Sequence, residues 1–308
     1  MRIIFIGTPE FAVPSLKILL ENNYNIVAVI TAPDKPAGRG QKVSCSAIKE
    51  YAQKQNLLIL QPLKLKDPDF LEYYRSLAPD LQVVVAFRKL PKEIWAFPKL
   101  GTFNLHASLL PNYRGAAPIN WAIINGEKVT GLTTFFLEEE IDTGKIIFQK
   151  PVPIPENWNA GQLHDYLKEE GAKLVLETVR AIEKGTAPQI PQVLKGDEKK
   201  APKIYPKDGK IDWNKTAKEI HNLIRGLAPN PAAWCYLNGK TLKIFSSQVY
   251  YNEEENASTG TIKIIHPDTL LIKAADNWLK ILEVQLEGKK RMDIRSFLNG
   301  FREQIVIT

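Results

Sequence analysis

The sequence predicts an α/β protein: a doubly wound, mostly parallel, Rossmann-like sheet in an N-terminal domain, then a small β-barrel of the OB kind. Three observations carry that reading. Short Val- and Ile-rich runs alternate with amphipathic stretches through the first half of the chain. A segment crowded with Pro, Lys and Gly then interrupts all periodicity. Beyond it, short alternating runs dominate and helical patterns are few.

Taken in order, buried strands are expected at residues 3–6, 26–30, 81–86 and 102–105, each bounded by Gly, Pro or Asn. Helical spacing of apolar residues marks 13–22 and 46–55 between them. Such sheets gather ligands at the carboxyl ends of their strands, so the loops after Ile6, Ile30, Ala86 and Leu105 form the functional edge. Two further strands, 131–137 and 145–150, flank Asp142-Thr143-Gly144, a turn signature. A long helix runs over 160–184 and stops at Gly185.

These patterns divide the chain into a domain over 1–188, a linker over 189–207 and a second domain over 208–308. In the second domain, Thr216 and Glu219 have capping-box spacing and open a helix to about Arg225. Asn238-Gly239 joins strands 234–237 and 241–245 in a hairpin. Strands at 260–265, 269–274 and 279–285 and a short helix at 294–298 complete it.

Composition narrows the function less than the fold. No apolar run reaches the ~18 residues of a membrane span, and the apolar start is too short for a signal-peptide core. A cytoplasmic protein acting as a monomer is expected. Cys45 and Cys235 form no metal pattern with the scattered histidines, so no metal is expected. The net charge of +7 permits a polyanionic partner without demanding one.

The chemistry centres on Asn104-Leu105-His106-Ala107-Ser108-Leu109-Leu110-Pro111. On a strand, Asn104 and His106 share a face and meet the ligand edge together. An amide donor and an imidazole converging there can polarise a carbonyl and move a proton. Asp142, in its turn at the same edge, can fix the imidazole tautomer. Each also has a purely structural reading: Asn104 satisfying local backbone, His106 packed in a core, Asp142 serving its turn. After the first strand, Gly7-Thr8-Pro9-Glu10 lacks the G-x-G-x-x-G pattern and carries an acid, which argues against nucleotide binding. The basic loop holding Lys35, Arg39 and Lys42 suits either a phosphate backbone or plain solvation.

With these segments in view, the chain resembles the formyltetrahydrofolate-dependent formyl transferase family, in its tRNA-acting branch, over nearly its whole length. The resemblance lies in 2–11, 33–40, 104–111, 113–118 and 140–144, and continues through 225–234 and 288–292. It implies 10-formyltetrahydrofolate as donor and the α-amine of methionine on initiator tRNA as acceptor. Asn104 would hold the formyl oxygen as it becomes an oxyanion. His106 would assist and handle protons, and Asp142 would orient it and accept the amine proton. Ser108, Leu109, Leu110 and Pro111 would shape the folate wall with Phe87, Arg88, Leu90 and Ile141. Lys35, Arg39, Lys42 and Arg114 would contact tRNA, and the second domain would add further tRNA surface. The chemistry agrees, because an α-amine with pKa near ~8 is already partly neutral at pH 7 and needs no covalent enzyme nucleophile. It needs positioning, an oxyanion partner and a proton sink. One departure stands out: 86–91 reads Ala-Phe-Arg-Lys-Leu-Pro, a residue shorter than the family pattern and without its glycine. The same core residues would also serve a formyl transferase with a small acceptor, such as an amino-sugar nucleotide or glycinamide ribonucleotide. The hydrolytic branch, and a tRNA-binding protein with an inactive transferase domain, are further alternatives.

Overall fold

The structure, a computed structural model, describes residues 1–37, 42–251, 257–301 and 306–307. It forms two compact units, one of residues 1–115, 130–153 and 164–200, the other of 116–129, 154–163 and 201–308.

The first unit opens with β1 (Arg2–Gly7), α1 (Val13–Glu21) and β2 (Asn25–Ile30). A hairpin of β3 (Lys35–Ala37) and β4 (Lys42–Ser44) precedes α2 (Ala47–Lys54) and β5 (Ile59–Leu60). Then come α3 (Pro68–Ser76), β6 (Leu81–Val85), α4 (Lys92–Trp95), β7 (Thr102–His106) and β8 (Arg114–Gly115). The chain next forms α5 (Pro118–Ile124), which belongs to the second unit. It returns with β9 (Val129–Phe136), β10 (Ile146–Pro153), α6 (Ala160–Glu183) and β11 (Lys200–Ala201).

The main sheet has the order β10-β9-β7-β6-β1-β2-β5. Its pairs from β5 to β7 are parallel, and β9 adds to β7 antiparallel. Ile3, Ile4, Phe5 and Ile6 are all fully buried, as a parallel strand covered on both faces requires. The order of the parallel strands reverses between β1 and β6, so the switch point and its ligand crevice lie at Gly7 and Val85.

Helix starts follow local chemistry. Ser46 caps α2 by accepting from the Lys49 N–H, and Asp67 caps α3 by accepting from Phe70 with Pro68 as the first helical residue. The helices α3, α4 and α5 are additional to those expected from periodicity; α4 and α5, of 4 and 7 residues, offer too few turns to show an amphipathic stripe. A buried polar chain fixes the first two. Gln82 Nε2 donates to the Tyr74 hydroxyl at 2.7 Å, which donates to the Ile94 carbonyl at 3.0 Å. Residues beyond α6 lie along the first unit, where Ile190 exchanges backbone hydrogen bonds with Ile146.

The second unit continues with α7 (Ala217–Leu227), β12 (Ala233–Leu237), β13 (Lys240–Tyr250), β14 (Ile262–Ile265), β15 (Thr269–Lys273), β16 (Trp278–Leu286), β17 (Met292–Asp293) and α8 (Ile294–Gly300). The expected all-β second half is an antiparallel sheet of order β12-β13-β16-β15-β14, with β17 on β16. Thr216 and Glu219 form the expected capping box, each side chain accepting the other's backbone N–H. Ile220, Ile224 and Leu227 of α7 pack into a core with Cys235, Leu242, Ile244 and Ile281.

Candidate active site

Asn104 and His106 leave β7 on one face, as alternation demands. Asn104 is flanked by Val84 on β6 and Phe135 on β9, and His106 lies opposite Thr133. The Asn104 side chain is half-buried and makes no hydrogen bond to the described residues, so its amide is unspent at the strand's carboxyl end. His106 is only 6% exposed. Its Nε2 lies 2.8 Å from the Tyr113 carbonyl oxygen. A carbonyl can only accept, so Nε2 carries the proton and Nδ1 presents its lone pair.

That lone pair faces Asp142. The Nδ1 to Oδ2 separation is 3.9 Å, too long for a direct hydrogen bond. Oδ2 is held instead by the Gly115 N–H at 2.9 Å. The two acceptors therefore flank a space suited to a group that brings a proton. Asp142 sits at φ 57°, in the left-handed region where Asp is tolerated. Two residues on, a Cβ at Gly144 would lie 1.7 Å from the Phe136 carbonyl oxygen, so only glycine closes this turn.

The turn is pinned from outside by a residue the sequence reading missed. Gln192 Nε2 donates to the carbonyls of Asp142 at 2.9 Å and Gly144 at 2.8 Å. The Arg114 guanidinium, at 2.5 Å through Nη2, holds the Gln192 carbonyl in turn. Nothing in the sequence signals this, because Gln192 lies in an aperiodic Pro-rich stretch some fifty residues away. Thr133 and Gln149 were also missed. Thr133 Oγ1 donates to the Ser108 carbonyl at 2.6 Å and Gln149 Nε2 to Leu110 at 2.8 Å, fixing the course of 108–111. Three threonines among the apolar residues of β9, at 130, 133 and 134, were the available signal.

The expected folate residues separate into two groups. Ser108 is fully buried, its hydroxyl donating to the Asn112 carbonyl at 2.6 Å. Leu109 fills space above Gly131, where any Cβ would meet it at 2.4 Å, and Leu110 packs with Phe135 and Ile146. These side chains point into the protein, and Pro111 follows them half-buried. Phe87, Arg88 and Leu90 instead form a ledge at the end of β6. Ala86 adopts φ 51°, taking the left-handed conformation that a glycine would otherwise supply. Phe87 and Leu90 then pack on Ile4, Ile6 and Val84. Arg88 Nη2 donates to the Pro62 carbonyl at 2.8 Å. Ile141 is 59% exposed.

Beside the ledge is a cleft of about 680 Å³ floored by Leu90 and Trp95. Lys64, Lys66, Arg88, Lys89 and Lys92 line it against only Glu93 and Glu139, so it suits an anionic ligand. Asn104, His106 and Asp142 do not line it. Of the residues expected at nucleic acid, Arg39 lies outside the described residues, Lys35 and Lys42 are placed by backbone alone in β3 and β4, and Arg114 is engaged with Gln192. Among the described residues, no group of three His, Cys, Asp or Glu side chains could hold a metal ion.

A family model described as formyl transferase matches residues 1–179, and its C-terminal-domain counterpart matches 203–302. The chain belongs to the formyl transferase family. The methionyl-tRNA formyltransferase of Flavobacterium johnsoniae is 51% identical over 97% of this chain and 96% of its own length. That of Bacteroides thetaiotaomicron is 50% identical over 98% of the chain and 96% of its own length. Among solved structures, the N-formyltransferase of Helicobacter canadensis, in complex with folinic acid and dTDP-3-aminofucose, is 25% identical with a TM-score of 0.68, covering 91% of this chain and 98% of that one. HypX from Aquifex aeolicus shares the fold at 20% identity and a TM-score of 0.66, over 99% of this chain and 49% of its own. No described helix of this formyl transferase is long and apolar enough to cross a membrane.

Proposed function

We propose that this formyl transferase moves the formyl group of 10-formyltetrahydrofolate onto the α-amine of methionine esterified to initiator tRNA, in the cytoplasm. The observation that carries the chemistry is the pairing of an unspent Asn104 amide with a His106 lone pair facing Asp142 across 3.9 Å. The amine nitrogen attacks the formyl carbon, and the carbonyl oxygen becomes an oxyanion to which Asn104 donates. The amine proton passes to His106 Nδ1, and the Asp142 carboxylate offsets the charge the ring gains. The intermediate collapses by breaking the bond to N10 of the folate, and His106 returns the proton to that nitrogen. Atoms and charge balance with no covalent enzyme intermediate.

The remaining residues take supporting parts. Phe87, Leu90 and Ile141 offer apolar surface to the pterin and aryl portions of the donor. Ser108, Leu109, Leu110 and Pro111 set the opposite wall through their backbone course. The lysine-rich cleft suits the carboxylates of the folate's glutamyl end. Lys35, Arg39, Lys42 and Arg114 are assigned to the acceptor RNA, Arg114 also bracing the Asp142 turn through Gln192. The acceptor assignment draws on relatives near 50% identity whose names specify methionyl-tRNA. A sugar nucleotide acceptor is the second reading, favoured only by the ligand of the 25%-identical neighbour.

The test offers purified protein 10-formyltetrahydrofolate with methionyl initiator tRNA or with a dTDP-amino sugar. Formyl-methionyl-tRNA is the expected product. Transfer to the sugar and none to the charged tRNA contradicts the assignment.

A further inference from the structure

The segment between β2 and α2 is tied shut at both ends by side chains that take no part in the formyl-transfer chemistry. At its exit, Thr31 is fully buried and its Oγ1 lies 2.8 Å from the Ser46 hydroxyl, fifteen positions along the chain. Ser46 also caps α2, accepting from the Lys49 N–H at 3.1 Å. At its entry, Asp34 Oδ2 takes the Lys49 ammonium, and Asp34 Oδ1 accepts from Gln61 Nε2 at 2.8 Å. Gln61 Nε2 donates again to the Ala32 carbonyl at 2.8 Å. The first turn of α2 therefore holds both ends of the segment, with Gln61 beyond β5 as a third point.

Between these ties run β3 and β4, paired from Lys35 opposite Ser44 to Ala37 opposite Lys42. Asp34 immediately precedes β3, so its anchor sets where the hairpin begins. A loop whose ends are joined in this way has fewer poses open to it than one hinged freely. The Asp34 and Lys49 side chains are 27% and 17% exposed, so solvent screens the pair less than it would a surface pair. The Lys49 ammonium, followed by Gln61, holds the Asp34 carboxyl below its ordinary range, which keeps the pair charged at neutral pH. Lys49 is spent on this carboxylate and leaves no free charge for a phosphate. Asp34 by its charge alone would repel one. An acid at the foot of a hairpin assigned to RNA is explained by what it ties.

We infer that Asp34, Lys49 and Gln61 are positioning residues, a clasp that holds the β3–β4 hairpin in the pose the acceptor meets. The inference rests on the assignment of this hairpin to a tRNA acceptor and adds the device that sets its pose. When the clasp opens, the hairpin spreads over other poses, and apparent affinity falls with the fraction that stays competent.

Steady-state formylation of methionyl initiator tRNA by the full chain compares Asp34→Asn, Lys49→Met and the Asp34→Asn/Lys49→Met pair with the parent. Asp34→Asn removes a negative charge, so electrostatics alone would lower the KM for tRNA. The clasp predicts the opposite sign, a rise of about tenfold with kcat and the folate KM within about twofold of the parent. The double variant should be no worse than the single ones, because each change breaks the same device. A KM for tRNA unmoved or lowered in Asp34→Asn, an equal rise in the folate KM, or additive losses in the double variant overturns the inference.

A second arm contains no acceptor. Cys45 adjoins Ser46 and is half-buried with its Sγ 3.4 Å from Glu50, whereas Cys235 is fully buried. Loss of the Lys49 charge disfavours a nearby thiolate, so charge alone would slow maleimide alkylation of Cys45 in Lys49→Met. An opened clasp exposes the thiol and speeds the reaction, and a rate at or below that of the parent overturns the inference. If methionyl-tRNA is no acceptor yet Cys45 reacts faster in Lys49→Met, only the functional reading fails. If methionyl-tRNA is formylated with a KM that Asp34→Asn leaves unmoved, only this inference fails.

Discussion

The edge of β7 and the open face of β12 use polar and aromatic side chains in opposite ways. At β7, His106 is buried, its Nε2 proton is committed to the Tyr113 carbonyl, and Asp142 is anchored by the Gly115 N–H. At β12, Tyr236 is exposed and the lysines around it have no carboxylate partner among the described residues. At the proposed site one geometry is held by these ties, and among its described groups the amide of Asn104 and the Nδ1 of His106 are left open. At β12 the charges stand free in solvent, where salt screens them and their effect on stability is small.

The contrast is broken most severely at Gly144. Alanine there would place a methyl group within bonding range of the Phe136 carbonyl, so the turn must open and carry Asp142 away from His106. Gly144→Ala should cost about a thousandfold or more in kcat/KM and several kcal/mol of stability, read by steady-state kinetics and urea unfolding. A smaller effect belongs to Gln192→Ala, which removes two hydrogen bonds from the turn while leaving every reacting group present. It should lower kcat about tenfold, with the KM for tRNA nearly constant, because a misplaced carboxylate harms the transition state more than binding. A rise in KM with unchanged kcat would move Gln192 from positioning to RNA contact.

The smallest effect sharpens the comparison within the second unit, where the His221 imidazole of α7 is half-buried against Ser247 of β13. Burial, with Arg225 and Lys218 adding to it, holds the His221 imidazole down at about 4. It is thus neutral in the folded chain at pH 5, while the unfolded chain takes up a proton below its ordinary value of 6.5. Stability should therefore be unaffected above pH 7 and fall as pH drops from 6.5 towards 4, by at most about 3 kcal/mol. Urea midpoints recorded across this range should flatten in His221→Gln, and an equally steep decline in the variant would assign the loss to other groups.

Much of this was legible in the sequence, for identifiable reasons. Residues 3–6 of β1 and 83–85 of β6 are continuous apolar runs because both faces are covered, and such runs are visible without any partner. Thr216 and Glu219 announced α7 because capping is local, acting across three residues. Asn104 and His106 were visible because alternation alone places them on one face. The bracing of that site was not. Tyr113 reaches His106 through a backbone carbonyl, which any residue could supply, and Gln192 arrives from an aperiodic stretch. The left-handed conformation of Ala86 was hidden for a related reason, since the sequence there lacks the glycine that normally marks such a turn. The docking of Trp234 on the segment before Ile211 needs its hydrogen bond to the Pro206 carbonyl, which no local pattern encodes.

The central claim is that the β7 edge performs the transfer and does not serve as the means of holding RNA. Single-turnover formylation of methionyl-tRNA by Asn104→Ala, with RNA affinity measured on the same preparation, tests it most directly. The account predicts a chemical step slower by about 10²- to 10³-fold at unchanged affinity, the loss expected for one oxyanion donor. A transfer rate equal to that of the parent would contradict it.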